Sequence, residues 1–517
     1  MANLISDGQP PGGWLSCEAA ILSWFEPDRE DRAVLALLGL FIAVWTTFQV
    51  VAYSAVGLND DLAEVFVWSQ NLSLGYSKHP PLAAFVAAIW FSIFPTAEWA
   101  FHLLAMLNSA VGLFFVDRIA RRYVDSNKRL LVLLLLLLTP FYQFHGQRFS
   151  PNPMQLSTWP IATLCFLRAF ATRRIGWSAL AGATAALAML AKYYSIYLIG
   201  GFVVAAMLHP RRWEYLRSPA PWVSIFAGFV VLAPNLYWLA TTGFEPFAYA
   251  VGVHGGGSAW DEWRSIIAYL LGALGYVLLP LLVYGAAVRP DKDMLALVIW
   301  PQDADRRMLV ILLGSFLLLP ALTAPLIGVK LTSLWTMSSW FLLPIVLLAP
   351  KEVKLTHLTA ARVATGVATM TMAILAAAPV VAWVNYVNGL ESGRAYDRIV
   401  GEEVTRTWRA ATGRPLRIVI GVTGFSQATS FYSPDHPDAG PGFGSPASPW
   451  LTILRGRRDG WGAACSAADQ VCISDVERSA QIFSGSVRVE KTLTVSFFGW
   501  RSTSKQFVFY IVPPQPT

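Results

Sequence analysis

The sequence predicts a polytopic α-helical membrane protein of about eleven or more membrane segments, followed by a small extracytoplasmic α/β domain. Three observations predict it. Hydrophobic residues fill 55% of the 517 positions and charged residues only 14%, with a mean hydropathy of +0.48; soluble globular chains carry roughly 25% charged residues. The apolar residues fall in long runs, several near the roughly 20 residues a helix needs to cross ~30 Å of hydrocarbon. Backbone groups in that layer must pair within their own segment, which selects helices for runs this rich in Leu, Ala and Val. Finally, composition turns polar after Val387, and Gly, Pro and Ser turns appear.

The stretch Ala19–Phe25 is short and is followed by acids rather than a small-residue cleavage site, so no cleavable leader is expected. Ala33–Val56 then serves as the first, uncleaved span. Further apolar segments read as Pro81–Pro95, Ala100–Val116, Leu130–Tyr142, Met154–Ala171, Trp177–Leu190 and Tyr194–Leu208. Trp222–Ala240, Ile266–Val288, Met308–Ile327, Thr336–Ala349 and Leu358–Val387 complete the series. Pro81–Pro95 is short and bounded by prolines, and is expected to lie along the outer surface, leaving eleven crossings.

Charge sets the orientation. One set of loops holds basic clusters, such as Arg118, Arg121, Arg122, Lys128 and Arg129, or Arg211, Arg212 and Arg217. The alternating set holds one cation each: Lys78, Arg148, Lys192, Arg264 and Lys330. The positive-inside rule places the first set in the cytoplasm and the second outside, with the N-terminus inside and residues 388–517 outside. The net charge of +7 therefore belongs to membrane orientation, and no nucleic-acid partner is expected. Residues 1–387 read as the membrane domain and 388–517 as a soluble domain. The latter has a helix at Tyr396–Ala411 and strands within Leu416–Val422, Ser486–Phe498 and Phe507–Val512, with turns around Ser433–Pro449. Of four cysteines, Cys17 and Cys165 stand alone. Cys465 and Cys472 lie close together in the polar tail and form a disulfide candidate if that tail is outside the cytoplasm.

The first outer loop, residues 57–80, holds the adjacent acids Asp60 and Asp61 and ends Gly75-Tyr76-Ser77-Lys78-His79-Pro80-Pro81. Adjacent carboxylates beside a cation-lined cavity suit a general base with an orienting partner. The structural alternative is a pair of solvated acids, or a cap for a helix Leu62–Leu72. Lys192 and Lys330 sit at joins between apolar stretches with no acid nearby in sequence, a costly position without an anionic partner such as phosphate. His254, in the loop Gly252–Gly257, is a candidate to cover the cavity. His102 and His145 read as satisfied structural residues, and Trp260, Trp263 and Trp335 as interface aromatics.

The acid pair, the aromatic-rich helix after it, Gly75-Tyr76 and the Lys-x-Pro-Pro-Leu of Lys78–Leu82 together resemble the GT-C glycosyltransferases that use polyprenyl-phosphate sugars. The similarity is nearest to the bacterial family-39/83 branch of protein O-mannosyltransferases, the aminoarabinose transferase of lipid A and rhizobial galacturonosyltransferases. Asp60–Phe94 carries it best; Phe141–Pro160, Leu190–Tyr194 and Lys330–Pro344 agree more weakly. The resemblance implies that Asp60 is the base acting on the acceptor, with Asp61 where the family usually has Glu. A one-residue slip exchanges the two, so both are candidates. It further implies that Lys78, Arg148, Lys192 and Lys330 hold the donor phosphate, with His79 and Asn152 in the substrate cavity. Many relatives carry Asp near Asn152; its absence here lowers the case for a metal, and no metal or other cofactor is indicated. The implied partners are a polyprenyl-phosphate-linked sugar, an acceptor that is lipid A, lipopolysaccharide, another lipid or a protein, and the bilayer. The implied location is a bacterial inner membrane, with the C-terminal domain periplasmic. A rival class is a secondary transporter or flippase for an anionic lipid or solute. Such proteins keep charges near the midplane and commonly show repeats, whereas these charges sit at outer helix ends.

Overall fold

The computed structural model describes residues 29–256, 258–421, 424–501 and 504–515; Cys17 and Ala19–Phe25 lie outside them. Among the described residues six helices are long and apolar enough to cross a membrane: Glu30–Ala52, Glu98–Ala120, Ala220–Thr241, Trp260–Val288, Ala304–Ile327 and His357–Ala376. Shorter apolar helices, Leu82–Ile93, Ile175–Ala191 and Tyr193–Leu208, lie between them.

Several expected segments are broken, each at a proline or a polar cluster. The stretch expected at Leu130–Tyr142 is a helix, Ser126–Leu136, then a π-helical turn, Phe141–His145, entered through Pro140. Leu358–Val387 is two helices, His357–Ala376 and Ala378–Ser392, with Pro379 in the first turn of the second. Proline there lacks only an N–H that a first turn would leave unpaired anyway. Thr336–Ala349 is not a spanning helix. It forms 3-10 turns at Ser333–Ser338 and Trp340–Leu342, then a short helix Leu343–Leu348. Thr336, Ser338 and Ser339 are buried there. Ser338 donates to Gln155 Oε1 at 3.1 Å and Trp340 Nε1 to Thr336 Oγ1 at 3.1 Å. This segment is packed inside protein, where side-chain bonds rather than a continuous helix satisfy its polar groups.

One end of the bundle is fastened by a charge network. Buried Arg129 binds Asp117 at 2.7 Å and Glu30 at 2.7 Å, and reaches Asp31 at 2.9 Å; Arg118 and Arg121 join the same acids. A buried arginine needs such satisfaction, because an unpaired internal charge is costly. The acid pair lies at the other end of helix Glu30–Ala52, beyond Ala52.

The C-terminal part contains a five-stranded sheet of order β2-β1-β3-β7-β4. Its strands are β1 (Ile418–Ile420), β2 (Asp438–Gly440), β3 (Trp461–Ser466), β4 (Val487–Leu493) and β7 (Lys505–Val512); β5 (Ser496–Phe497) and β6 (Trp500–Arg501) pair separately. β1 is parallel to β2 and β3, whereas β7 is antiparallel to β3 and β4. Helix Asp397–Thr412 stands within a residue of its expected position and packs Val400, Val404 and Trp408 against β7 residues Phe507, Phe509 and Ile511. Cys465 on β3 and Cys472 on helix Gln470–Ala480 are joined by a disulfide, with Cα atoms 5.8 Å apart. Cys165 is free and buried. The bridge closes a loop of sequence separation 7, so the double variant Cys465→Ser/Cys472→Ser should lose about 2 kcal/mol. Thermal melting with and without reductant measures this.

Candidate active site

Asp60 and Asp61 open the helix Asp60–Gln70, and the cap is neither of them. Asn59 holds that position, its Oδ1 accepting the Asp61 N–H at 3.1 Å. The capping alternative for the acids is thereby removed. Both carboxylates stand in the first turn of this helix, at the positive end of its dipole. Among the described residues neither forms an ion pair.

Both acids are open to solvent, yet Asp61 is hemmed in by protein. Burial raises its carboxyl above the ordinary range; Arg148 pulls it back, Asp60 raises it further, and Lys78 and Lys192 again favour the charged form. Three of the four expected cations thus act electrostatically on Asp61. Asp60 also acts on Asp397, whose carboxyl burial pushes up to about 8, against the pull of Arg394.

Lys78 is not a free phosphate ligand: its Nζ lies 2.7 Å from Glu64 Oε1, one helical turn beyond Asp60, and 5.8 Å from the Tyr249 ring. The loop that carries it folds back on the acid-pair helix. Tyr76 stacks on Trp68 at 4.7 Å, and its hydroxyl donates to the Trp68 and Asn71 carbonyls at 3.0 and 3.1 Å. His79 meets Trp68 edge-on at 6.0 Å, and burial brings its imidazole down to about 3, so it is neutral. A Cβ on Gly75 would overlap the Trp238 ring. Gly75-Tyr76 is therefore a packing device that seats the loop. Gly75→Ala should cost about 1–3 kcal/mol through overpacking, read as a lower melting temperature.

Arg148 is exposed and lines a small cavity with Tyr53, Gly57, Asn59, Glu98 and His102. His102, expected to be satisfied, is buried with Nδ1 lacking a hydrogen-bond partner among the described residues. Lys192 occupies the break between helix Ile175–Ala191 and the turn Tyr193–Ser195. It donates to Asn152 Oδ1 and stands 5.1 Å from the Trp335 ring. Burial brings its ammonium down to about 7, with the Asp61 charge opposing.

Lys330 and His254 are joined through their backbones. The Lys330 N–H donates to the His254 carbonyl at 2.8 Å, and Gly255 bridges Val329. The His254 ring meets Trp335 at 5.0 Å, so Trp335 links this pair to Lys192. The Lys330 charge acts on Asp261. Asp61 thus feels the charges of Lys78, Arg148 and Lys192, Lys192 contacts Asn152 and Trp335, and the His254 ring meets the same Trp335. Among the described residues no group of three His, Cys, Asp or Glu side chains could hold a metal ion.

Sequence reading missed Glu64, Glu98, Arg394, Arg398 and Tyr432. Glu64 stands at a helical spacing from the acids that could have flagged it. The others pair across 300 residues or more, which no local signal announces.

Spanning helices with an acid pair just after the first span, and a small sheet domain at the C-terminus, define a multi-pass membrane protein of the GT-C fold. The fold is that of ArnT from Cupriavidus metallidurans. Its structure bound to undecaprenyl phosphate superposes with a TM-score of 0.54 at 14% identity, covering 92% of this chain and 98% of ArnT. The apo form gives 0.53 at 15%, with the same coverage. Residues 78–238 match the family model of dolichyl-phosphate-mannose-protein mannosyltransferase. The lipid A galacturonosyltransferase RgtD of Rhizobium johnstonii is 28% identical over 204 residues, 39% of this chain and 43% of RgtD. The chain therefore matches less than half the length of that relative. The resemblance read in the sequence is borne out by these matches.

Proposed function

We propose that this protein is a glycosyltransferase. It moves a monosaccharide from a polyprenyl-phosphate carrier to an acceptor of the cell envelope, at the periplasmic face of a bacterial inner membrane. The observation that carries the proposal is the carboxylate pair, without an ion-pair partner among the described residues, whose Asp61 feels the charges of Arg148, Lys78 and Lys192. Asp61, aided by Asp60, takes the proton of an acceptor hydroxyl or amine as that oxygen or nitrogen bonds to the anomeric carbon. The bond between that carbon and the phosphate oxygen breaks, and the electron pair leaves with the polyprenyl phosphate. Arg148 and Lys192 stabilise the charge that grows on the leaving oxygen. Attack opposite the leaving group inverts the anomeric centre. Lys78, held by Glu64, sets the electrostatics of Asp61 rather than gripping phosphate, and Lys330 meets the phosphate as it enters.

ArnT bound to undecaprenyl phosphate supports the carrier, and RgtD supports lipid A as the first acceptor to test; both favour a transferase over a transporter or flippase. The basic clusters at the opposite end of the bundle support a periplasmic site and a periplasmic position for residues 388–517. Purified protein in lipid nanodiscs, given polyprenyl-phosphate sugars and lipid A, should form a glycosylated lipid detectable by mass spectrometry. No transfer from any such donor to lipid A, lipopolysaccharide, other lipids or protein would reject the reading.

A further inference from the structure

The chain between the first span and the acid pair, residues 53–59, is neither helix nor strand. Its backbone groups need partners; the Tyr53, Ser54 and Val56 N–H groups find them in local turns, and the C-terminal part supplies others. The Gly57 N–H donates to the Arg394 carbonyl at 2.9 Å, and Arg394 Nη2 donates back to the Gly57 carbonyl at 2.8 Å. Arg398 Nη1 donates to the Ser54 carbonyl at 2.9 Å, while Nε reaches Glu98 Oε1 at 2.8 Å. The Leu58 N–H donates to the Tyr432 hydroxyl at 2.8 Å, and that hydroxyl donates to Glu98. One residue earlier than this stretch, the Ala52 carbonyl accepts from Asn385 Nδ2 at 2.8 Å. A Cβ on Gly57 would overlap the Asp397 side chain, so the approach is close enough to require glycine.

The same tail grips the far side of the acid-pair helix. Phe431 packs edge-on against Phe66 at 5.0 Å, Ser430 donates to Gln70 Oε1 at 3.0 Å, and Asn71 Nδ2 donates to Asp438 Oδ1 at 2.7 Å. Both ends of the catalytic loop are thus tied to residues 385–438, whereas among the described residues the Asp60 and Asp61 carboxylates form no ion pair.

We infer that the C-terminal part is a brace that fixes the acid pair, with Arg398 and Tyr432 as positioning residues acting through Glu98 and the backbone of residues 54–58. This rests on the reading of Asp60 and Asp61 as the base. Arg398 and Tyr432 place the carboxylates and do not touch the donor. Misplacing a catalytic group by about 1 Å can cost roughly a hundredfold in rate, so loss of the brace should lower kcat and spare the donor KM.

The test uses the full chain in nanodiscs with Arg398→Ala, Arg398→Lys, Tyr432→Phe and, as a distant control, the exposed Arg478→Ala. Hydrogen exchange in peptides spanning 54–62 reads the brace without any assay of activity. Exchange there should quicken about tenfold in Arg398→Ala and Tyr432→Phe, and less in Arg398→Lys, with the control unchanged. In the transfer assay the first two should lose kcat by about tenfold to a hundredfold, with the donor KM moved less than about threefold. Arg398→Lys should recover part of that loss. Unchanged exchange and unchanged kcat in both Arg398→Ala and Tyr432→Phe would overturn the brace, as would a rise in donor KM with kcat intact. Tyr432→Phe removes a single oxygen and keeps the question answerable if Arg398→Ala fails to fold. If the wild-type protein transfers no sugar, the proposed function falls, and the exchange result alone judges the brace.

Discussion

Asp61→Asn is expected to lower turnover by roughly 10²–10⁴, the range by which a positioned general base accelerates proton transfer, while leaving the melting temperature and donor affinity close to wild type. The structure separates these effects. Asn59, not Asp61, caps the helix, and among the described residues Asp61 has no ion-pair partner, so an isosteric amide removes no bond that holds the loop. What it removes is the carboxylate that feels the charges of Arg148, Lys78 and Lys192. Asp60→Asn should show a smaller loss if Asp60 orients the acceptor, and the larger loss if the two roles are exchanged. Single-turnover transfer with labelled donor, beside a melting curve for each variant, provides the measurement. Full turnover in both variants would discard the base.

Lys192→Ala should weaken donor binding by about tenfold to a hundredfold, the worth of a hydrogen bond to a charged group. Wild-type binding should itself depend on pH with a definite sign. Lys192 is brought down to about 7 by burial, so in the empty site it carries its charge below that pH and loses it as pH rises. A phosphate restores the charged form. Donor binding is therefore tightest below about pH 7, weakens above it, and takes up a proton there. On the acid side, Asp61 has a raised carboxyl, so its base form is lost at higher pH than for an ordinary aspartate. The kcat/KM profile should be bell-shaped, with an acid limb from Asp61 and an alkaline limb involving Lys192. In Lys192→Ala the alkaline limb should disappear and the acid limb remain. An unchanged alkaline limb, or unchanged affinity for a polyprenyl phosphate measured by calorimetry, would remove Lys192 from the phosphate site.

Some of this site was legible in the sequence because its signals are local. Lys192 stood out as a cation interrupting apolar residues, and Asp60-Asp61 as acids at the end of a span; each is costly in place without a specific environment. Lys78 illustrates the limit. Its position before Pro80-Pro81 suggested a phosphate ligand, yet Glu64 faces it across the folded loop. Gly75-Tyr76 was legible as a motif, but its physical reason, the Trp238 ring against Gly75, comes from a helix more than 150 residues away. One apolar segment was misread for the same kind of reason. Thr336–Ala349 is apolar enough to read as a span, but it forms 3-10 turns whose buried Ser338 and Ser339 bond to neighbouring helices, while Thr336 bonds to Ser333 and Trp340 of the same segment.

By itself the sequence determined the helical membrane class, the basic and sparse loop sets, the polar C-terminal domain and the residues able to do acid–base and phosphate chemistry. Those follow from hydropathy, helix length and the cost of charge in an apolar run, which act over neighbouring residues. Only the tertiary structure decided which cations act on Asp61, which one is neutralised by Glu64, and that Arg394, Arg398 and Tyr432 help satisfy the irregular backbone before Asp60. Those outcomes depend on where distant groups meet once the chain is closed, and the energy of a polar group is set by the partner it finds there.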